Sequence, residues 1–473
     1  MIAEVLELCA GETEIELVWV EQCNITKTIN KHGELHISAV IPTEKKDEYV
    51  SAMLSNQYVQ FKVKDYQKNK KVIFCGVVKH LELEDDLHTA RIELVLAGGT
   101  LLLDMAEKTK TFQNAGTNYN ELIGYINSGH GAMMKMRSEM GANTDGIRVQ
   151  YKETDWQFIL RMASEIKLSI IPEFSREGIW YYLGVDESQI GKEIAYSRLC
   201  KRNDMGRFSR KVEMGLTNLQ TNDATYYSVT TREVLDLGQA VLIKGKKLYV
   251  YKAVSEWKEE QLIHHYDLRT KNSFLQNRIY NSKIIGASLS GSVSAISKDR
   301  VQVSLGVDSS NPNHGSHFFP YSTVYSSASG TGWYCMPEPG DSIRLYFPSA
   351  KEAEAYVLSS VHLDSSMTSK NQRNDPDTKS IRSVHDKEVC LAKDKLVLTN
   401  HDGMKVELND KNGIIIESDK DVIIKAKENM KIEGEQQLKM IAGDTLLLNQ
   451  GNAKLTLAEN KITLSGAKVK LQE

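Results

Sequence analysis

A repeat of paired apolar residues fills the C-terminal part of this 473-residue chain. The two members of each pair are two positions apart, and most pairs follow the previous one after eight residues. Residues two apart point to the same face of a β-strand, and polar turns such as 410–413 separate the pairs. The pattern predicts short strands joined by turns. After Leu396 and Leu398, the predicted core consists of Val406, Leu408, Ile414, Ile416, Val422, Ile424, Met430, Ile432, Leu438, Met440, Leu446, Leu448, Leu455, Leu457, Ile462, Leu464, Val469 and Leu471.

The length of this repeat limits how the strands can close around a core. A three-sided β-helix needs on the order of 20 residues per coil, so a unit of eight residues is about one third of a coil. We therefore predict that three identical chains each supply one face, with the pairs inward. Alternating residues such as Ile415, Glu417, Lys425 and Glu433 would then point outward. An antiparallel meander within one chain would give similar alternation, but it would need another part of the protein to cover its apolar face.

Composition excludes several classes of protein. Hydrophobic residues make up 41% and charged residues 26%, which is typical of a folded protein with several domains. The net charge of −3 provides no basic excess for binding nucleic acid. The N-terminus lacks a signal peptide's basic region and apolar run, and no apolar run is long enough to span a bilayer. The six scattered cysteines fit reduced thiols, so we expect synthesis in a cytoplasm without a signal peptide.

Residues 282–365 have the pattern of a small β-barrel. Their length is that of an oligonucleotide/oligosaccharide-binding (OB) barrel. Two alternating strands flank a turn at 297–299, and a Gly/Pro-rich turn containing Pro339, Gly340 and Asp341 precedes another strand. About five short strands with such turns suggest a small barrel. The apolar alternation predicts the inward residues Val301, Val303, Leu305, Ile343, Leu345 and Phe347.

The segment WYCMPEPGDSIRLYF, followed by YVLSSV, resembles the barrel of the VgrG and phage-baseplate spike family. In that family a P-x-x-G-D turn leads into the penultimate strand, and Y-V-L-G-S closes the domain; Ser359 replaces that Gly here. The run VQYKETDWQFI, residues 149–159, is similar to the family's hub motif Q-Y-x-E-[ST]-D-x-x-F-[IL]-x-R-L. Arg161 matches this motif, whereas Met162 replaces the usual Leu.

The resemblance implies a mainly β protein with an N-terminal hub, a barrel and a needle. The hub, 1–281, would hold two β-barrels plus a few helices; the OB-like barrel, 282–365, would follow. A neck or linker, 366–395, would lead to an intertwined trimeric β-helix needle, 396–473. Members of this family form the hub and spike of a contractile injection machine. By resemblance, we expect this chain to belong to a phage tail, a tailocin-like particle or a type VI secretion system. A homotrimer would present six similar barrels to the sixfold tail tube.

The implied partners are the tail tube, baseplate proteins, a possible effector cargo and, transiently, a target membrane. The last apolar pair, Val469 and Leu471, would leave an open layer at the tip. His401 is the last histidine, so histidines cannot close that end around a metal ion. We therefore expect a separate capping protein similar to the family's PAAR-repeat cones.

Local patterns in the hub predict its helices and strands. Thr154 and Gln157 form a capping-box pair, which predicts a helix from Asp155 to about Lys167. A second helix is predicted at 120–127, and 256–280 reads as mixed helix and connection. The predicted strands are 14–19, 34–41, 58–64, 72–83, 89–96, 169–174 and 180–185.

No motif for catalysis, cofactor binding or metal binding is complete. The segment 286–290 lacks the second glycine of a nucleophile elbow, and 245–247 lacks the spacing of a phosphate-binding loop. His314 and His317 have no obvious third metal ligand, and His264 and His265 would diverge by about 100° on a helix. We therefore expect no enzymatic activity. The competing interpretation, a carbohydrate-active enzyme or adhesin on a β-helical stalk, is disfavoured because no Trp, Tyr or Phe follows residue 395.

Overall fold

The computed structural model describes residues 5–64, 70–86, 88–137, 143–308, 317–358 and 375–470. The chain divides into two compact units, Met1–Leu363 and Asp364–Glu473. Strands dominate both units, which confirms the predicted mainly β class. Within the described ranges, no helix is long and apolar enough to cross a membrane. The helices are α1 (Lys46–Ser55), α2 (Tyr119–Ser128), α3 (Asp155–Glu165) and α4 (Met205–Glu213).

The hub is built on one large antiparallel sheet. Its strands in the first half are β1 (Val5–Ala10), β2 (Thr13–Ile15), β3 (Trp19–Thr28), β4 (Glu34–Ile41), β5 (Val59–Lys64), β6 (Lys70–Asp85) and β7 (Ala90–Gly98). Between the halves lie β8 (Glu107–Phe112), β9 (Met133–Met136), β10 (Arg148–Thr154), β11 (Ile170–Pro172) and β12 (Trp180–Leu183). The second half contains β13 (Lys192–Glu193), β14 (Arg198–Asn203), β15 (Thr225–Thr231), β16 (Ala240–Ile243), β17 (Lys246–Lys258) and β18 (Gln261–Arg269).

Pairing of β3 with β17 joins the two halves of the hub. The main strand order is β14-β15-β18-β17-β3-β4-β7-β6-β5-β1-β2, and β16 pairs with both β17 and β13. Burial alternates along β4, where Leu35, Ile37, Ala39 and Ile41 all point into the core. Side chains of both halves belong to one apolar cluster. The two strand groups predicted as two barrels therefore share a continuous sheet and core.

A smaller helical layer is inserted between the halves. Its α3 begins at the predicted capping box: the Thr154 hydroxyl accepts a hydrogen bond from the Gln157 backbone N–H at 3.1 Å. Trp156, Ile159 and Ala163 are buried on one face of this helix, and Leu160 is half-buried. The helix α2 packs in the same apolar cluster as α3, with strands β9, β11 and β12 forming a three-stranded sheet. This layer carries the residues that contact the following barrel.

The barrel contains five short strands: β19 (Ser288–Ser297), β20 (Arg300–Leu305), β21 (Phe318–Pro320), β22 (Ser342–Tyr346) and β23 (Tyr356–Leu358). They pair in the order β21-β20-β19-β22-β23. A bridge between Tyr321 and Val357 joins the outer strands, and the Ser322 backbone N–H donates to the Val357 carbonyl at 2.8 Å. All six predicted inward residues, from Val301 to Phe347, are buried.

The second unit contains antiparallel meanders. One five-stranded sheet comprises β24 (Lys379–Arg382), β25 (Glu388–Leu391), β26 (Lys395–Thr399), β27 (Lys405–Asn409) and β28 (Gly413–Glu417). A three-stranded sheet comprises β29 (Thr445–Gln450), β30 (Ala453–Ala458) and β31 (Lys461–Ser465). Residues 421–443 form no strand. The strands β24 and β25 lie within 366–395. The segment predicted as a neck or linker therefore contributes two strands to the five-stranded sheet.

Several local predictions are wrong. The mixed helical segment predicted for 256–280 is instead the end of β17, the strand β18 and a short 3₁₀ turn, Lys271–Phe274. A tight turn at Glu259 and Glu260, both with positive φ, joins the two strands, and burial alternates along most of β18. The strand predicted for 14–19 is split between β2 and β3. Helices α1 and α4 were not predicted. Only Tyr49 and Met53 of α1 are buried, and α4 has no buried residue, so neither helix has a clear apolar face in the sequence.

Candidate functional site

The strongest candidate for a functional surface is one face of the sheet β24–β28. Cross-strand register places apolar residues directly opposite one another: Leu396 faces Leu408, and Leu408 faces Ile414. Because direct partners share a face, the register aligns all the apolar pairs of these strands on one side. We call this set the apolar face; it consists of Ile381, Val389, Leu391, Leu396, Leu398, Val406, Leu408, Ile414 and Ile416.

The apolar face remains largely open to solvent in the single chain. Leu408 is 45% exposed, Ile416 58% and Ile414 73%. Monomeric soluble proteins rarely expose a contiguous apolar surface of this kind, and large ones mark sites of association. Complete burial of an aliphatic side chain contributes roughly 1.5–3 kcal/mol, so covering these half-exposed residues would stabilise an assembly by about 1 kcal/mol each.

The opposite face of the same sheet carries ion pairs together with the half-buried Cys390, Val397 and Ile415. Lys405 lies 3.3 Å from a carboxylate oxygen of Glu407 and 3.3 Å from one of Glu417. His401 contacts the Glu388 carboxylate at 2.5 Å. Ile415 lies on this side, opposite Glu407 in the register, so it points away from its neighbours Ile414 and Ile416 as predicted. The two faces therefore differ: aliphatic side chains dominate one, and the other mixes paired charges with a few apolar side chains.

The three-stranded sheet has the same construction. Leu446 faces Leu457, Leu448 faces Leu455, and β31 adds Ile462 and Leu464 to this side. Leu448, Ile462 and Leu464 are exposed. Six further predicted core residues lie between the two sheets, outside any strand, and are also exposed: Val422, Ile424, Met430, Ile432, Leu438 and Met440. Val469 is exposed, while Leu471 lies outside the described residues.

The strands of this unit pair with their neighbours in the same chain, which is the arrangement of the meander interpretation. That arrangement leaves the apolar face unburied, as the sequence argument anticipated. Sequence reasoning missed the members upstream of Leu396. Val389 and Leu391 are two apart and precede the pair Leu396 and Leu398 by seven residues, so the repeat itself carried the signal.

The predicted barrel turn has a clear structural role. Gly340 adopts a φ of 96°, a conformation that favours glycine. Its backbone N–H donates to the Val293 carbonyl at 2.8 Å, and the Val293 N–H donates to the Asp341 carbonyl at 2.9 Å. The Asp341 carboxylate accepts from the Glu338 N–H at 2.8 Å. The turn after Pro339 therefore fixes the start of β22 against β19.

A buried ion-pair network connects the helical layer of the hub to the barrel. Arg161, only 2% exposed, donates to the Glu153 carboxylate at 2.9 Å and to the Glu352 carboxylate at 2.7 Å. It also donates to the Val149 carbonyl at 2.6 Å. Glu352 lies 191 residues further along the chain, just before β23 of the barrel. Arg161, identified from the family motif alone, thus joins two parts of the first unit.

A second contact strengthens the same junction. The buried Asp308 carboxylate, which follows β20, accepts a hydrogen bond from the Thr111 backbone N–H at 2.8 Å. The Asn281 side chain donates to the Tyr151 carbonyl at 2.8 Å. Hub residues Ile147 and Val149 also pack in the barrel core. The barrel is therefore attached to the helical layer through satisfied polar contacts and shared apolar packing.

The incomplete catalytic and metal motifs have structural explanations. Residues 244–247 form the hairpin between β16 and β17, and Ser288 and Ser290 lie within strand β19. His264 and His265 are on strand β18, so they point to opposite faces rather than diverging on a helix. Burial lowers the pKa of His317, and His314 lies outside the described residues. Within the described part of the chain, no group of three potential ligands could hold a metal ion.

Comparisons with solved structures identify the fold. The E. coli c3393 protein, described as a type VI secretion component similar to T4 tail proteins gp27 and gp5, matches with a TM-score of 0.53 and 12% identity. The match covers 75% of this chain and 99% of that chain. A chain of the half-lidded Francisella PdpA-VgrG complex matches with a TM-score of 0.56 and 9% identity, over 87% of this chain and 88% of that one.

The lidless form of the Francisella complex gives a TM-score of 0.55 at 8% identity, covering 88% of this chain and 98% of that chain. Neither a scan of protein-family models nor a search of curated proteins finds a match. The similarity is thus visible in the fold and not in overall sequence identity. The fold is the one that the short motifs indicated: this chain shares it with the E. coli c3393 protein and with the matched chains of the Francisella PdpA-VgrG complexes.

Proposed function

We propose that the chain is the central hub-spike of a contractile injection machine, and that it acts as a homotrimer. The observation that carries this proposal is the apolar face, which is aligned strand by strand and exposed in the single chain. Three copies could bury their apolar faces against one another around a common axis. The eight-residue spacing supports three copies because one unit supplies about one third of a coil.

The proposed role is mechanical and requires no catalysis. The hub would join the tail tube to the spike and contact baseplate proteins, while the needle would pierce a target envelope when the sheath contracts. A needle in which three chains bury their apolar side chains against one another resists local unfolding. If one chain detached, the apolar side chains of the other two would be exposed to water. The protein would be made in the cytoplasm and carried outward within the assembled particle, with or without effector cargo.

The shared fold, the buried junction between hub and barrel, and the amphipathic C-terminal sheets support this assignment. Immunogold electron microscopy of particles from producing cells tests it. An antibody against this chain should label one end of the particles, at the tip of the tube. Labelling along the sheath, or labelling only of free protein, would contradict the hub-spike assignment.

We further propose that a separate small protein caps the needle. Val469 is exposed, and three copies would bring three of these side chains into one apolar layer that a further protein could cover. A PAAR-like cone could cover that layer through apolar and backbone contacts. Mass spectrometry and electron density at the tip of intact particles should reveal an additional chain; a needle that ends without one would refute the capping proposal.

A further inference from the structure

A polar cleft lies within the first unit. Its volume is about 380 Å³, and it is lined by β3, β6, the β11–β12 hairpin and the loop that precedes β16. Residues from distant parts of the sequence meet there, with lysines, an arginine, carboxylates and aromatic rings on the same walls. We call it the Lys27 cleft, after the most buried of its charged side chains.

Lys27 is an unusual residue for a position so deep in a protein. It is 5% exposed, and its amine donates to the Ile73 carbonyl at 2.6 Å. The amine also lies 5.4 Å from the centre of the Phe174 ring. No carboxylate forms an ion pair with Lys27 among the residues that the structure describes. Burial lowers the pKa of Lys27 to about 8, so the amine is still mostly protonated at neutral pH.

Two further cations line the cleft. Lys71 lies near enough to lower the pKa of Lys27 further by charge repulsion. The guanidinium of Arg137 lies 3.2 Å from the centre of the Tyr182 ring, a cation–π contact that holds it in place, and guanidinium N–H groups are strong donors to carboxylate and phosphate. The cleft therefore presents three cationic groups in one confined space.

The carboxylates of the cleft do not offset these cations fully. Glu173 accepts hydrogen bonds from the backbone N–H groups of Phe174 and Ser175 at 3.1 and 3.0 Å, and from the Ser175 hydroxyl at 2.7 Å. Burial alone would raise the pKa of Glu173, but these hydrogen bonds and nearby Arg176 lower it below its usual range. Asp236 is the second carboxylate of the lining, so three cations stand against two anions.

We propose that the Lys27 cleft binds a small organic oxyanion, with a carboxylate or phosphate group against Lys27 and Arg137. The aromatic side chains of Phe174 and Tyr182 supply a wall for the ligand's apolar part. A bound oxyanion would add a charged acceptor to the single carbonyl that the buried amine already contacts, and charge-assisted hydrogen bonds of this kind are the strong ones. Asp236 and Glu173 raise the pKa of Lys27 by their charge without offsetting the effect of burial, and an oxyanion in direct contact would add a closer counter-charge.

Calorimetric titration of the full-length protein tests the proposal with two probes, benzoate for the carboxylate source and phenyl phosphate for the phosphate source. At neutral pH we expect saturable binding of at least one probe. Lys27→Met keeps the length of the side chain without its charge and should weaken binding roughly ten- to hundredfold. Arg137→Gln should weaken it by a similar factor. The matched control is Lys31→Met, at an exposed lysine four residues away, which should bind like the original protein.

The pH dependence provides an independent readout on the unmodified protein. Binding should weaken as pH rises through about 8, because Lys27 loses its proton there. The other groups facing Lys27 are Lys71, Asp236, Glu173 and His264, and burial lowers the pKa of His264 to about 3, so it stays neutral in this range. Lys71→Gln should retain the fall in affinity near pH 8, whereas Lys27→Met should abolish it.

Each outcome decides the proposal. Saturable binding that depends on both Lys27 and Arg137 supports it, and the preferred probe identifies the anionic group. Absence of saturable binding of both probes at millimolar concentration overturns it. Equal affinity of Lys27→Met and the original protein also overturns it. If Lys27→Met does not fold, as judged by circular dichroism, the Arg137→Gln affinity and the pH profile of the original protein decide.

Discussion

At the scale of single residues, His264 links the hub's stability to pH. Its Nδ1 is 2.7 Å from the Ser255 hydroxyl, and burial lowers the pKa of the imidazole from 6.5 to about 3. The unfolded chain therefore binds a proton at a higher pH than the folded hub does. Stability from this group is complete above about pH 6.5 and is lost as pH falls toward about 3, by several kcal/mol in total.

We predict that His264→Gln makes the hub less sensitive to acid. Denaturant titrations at about pH 7 and about pH 4.5 should show a smaller loss of unfolding free energy in the variant than in the original protein. His265→Gln is the matched control, because His265 lies next along β18 on the opposite face and is more exposed. Equal acid sensitivity of all three proteins would contradict this account of His264.

Arg161 has a different role, since it compensates carboxylates from two parts of the first unit. Replacing Arg161 by Met would leave Glu153 and Glu352 buried without their shared cation. Breaking a buried pair in this way costs roughly 3–5 kcal/mol, so we predict a loss of that size in the unfolding free energy. Arg210→Met, at an exposed position of α4, should change it by less than about 0.5 kcal/mol. A similar small effect at both positions would show that the network does not stabilise the junction.

At the scale of elements, the strand β28 offers a test with adjacent residues. Ile416 lies on the apolar face, opposite Val406, whereas Ile415 lies on the polar side, opposite Glu407. Ile416→Lys would place one charge per chain in the proposed apolar interface, three in a trimer, and each unpaired buried charge costs several kcal/mol. We predict that this variant fails to assemble.

Ile415→Lys is the matched control for this experiment. Its amine would lie beside the Glu407 carboxylate and solvent, so the assembly should form normally. Size-exclusion chromatography with light scattering measures both variants. Equal assembly of the two proteins would show that the apolar face is not the interface.

The sequence predicted elements best where one local signal was strong. The capping box at Thr154 located the start of α3, and alternation located the inward residues of the barrel. The hairpin within 256–280 was not predicted, because its many charged residues suggested a helix. In the structure these charged residues alternate with buried ones along the strands β17 and β18. Neither Glu352 nor the Lys27 cleft could be predicted, since both depend on residues brought together from distant positions.

At the scale of the whole molecule, the two units bury their apolar residues to very different extents. The first unit buries large apolar clusters and satisfies its junction with hydrogen bonds and ion pairs. The second unit aligns its apolar residues by register and leaves them exposed. In the proposed trimer, a repeat of eight residues is one part of a coil, and the remainder of the coil would come from the other two chains.

Native mass spectrometry of the purified full-length protein tests this central claim most directly. One chain has a mass of 53.2 kDa, and the account predicts a dominant species of three times that mass. The species should persist on dilution, because each chain would bury its apolar face against the other two. A protein that remains at 53.2 kDa under the same conditions would contradict the account.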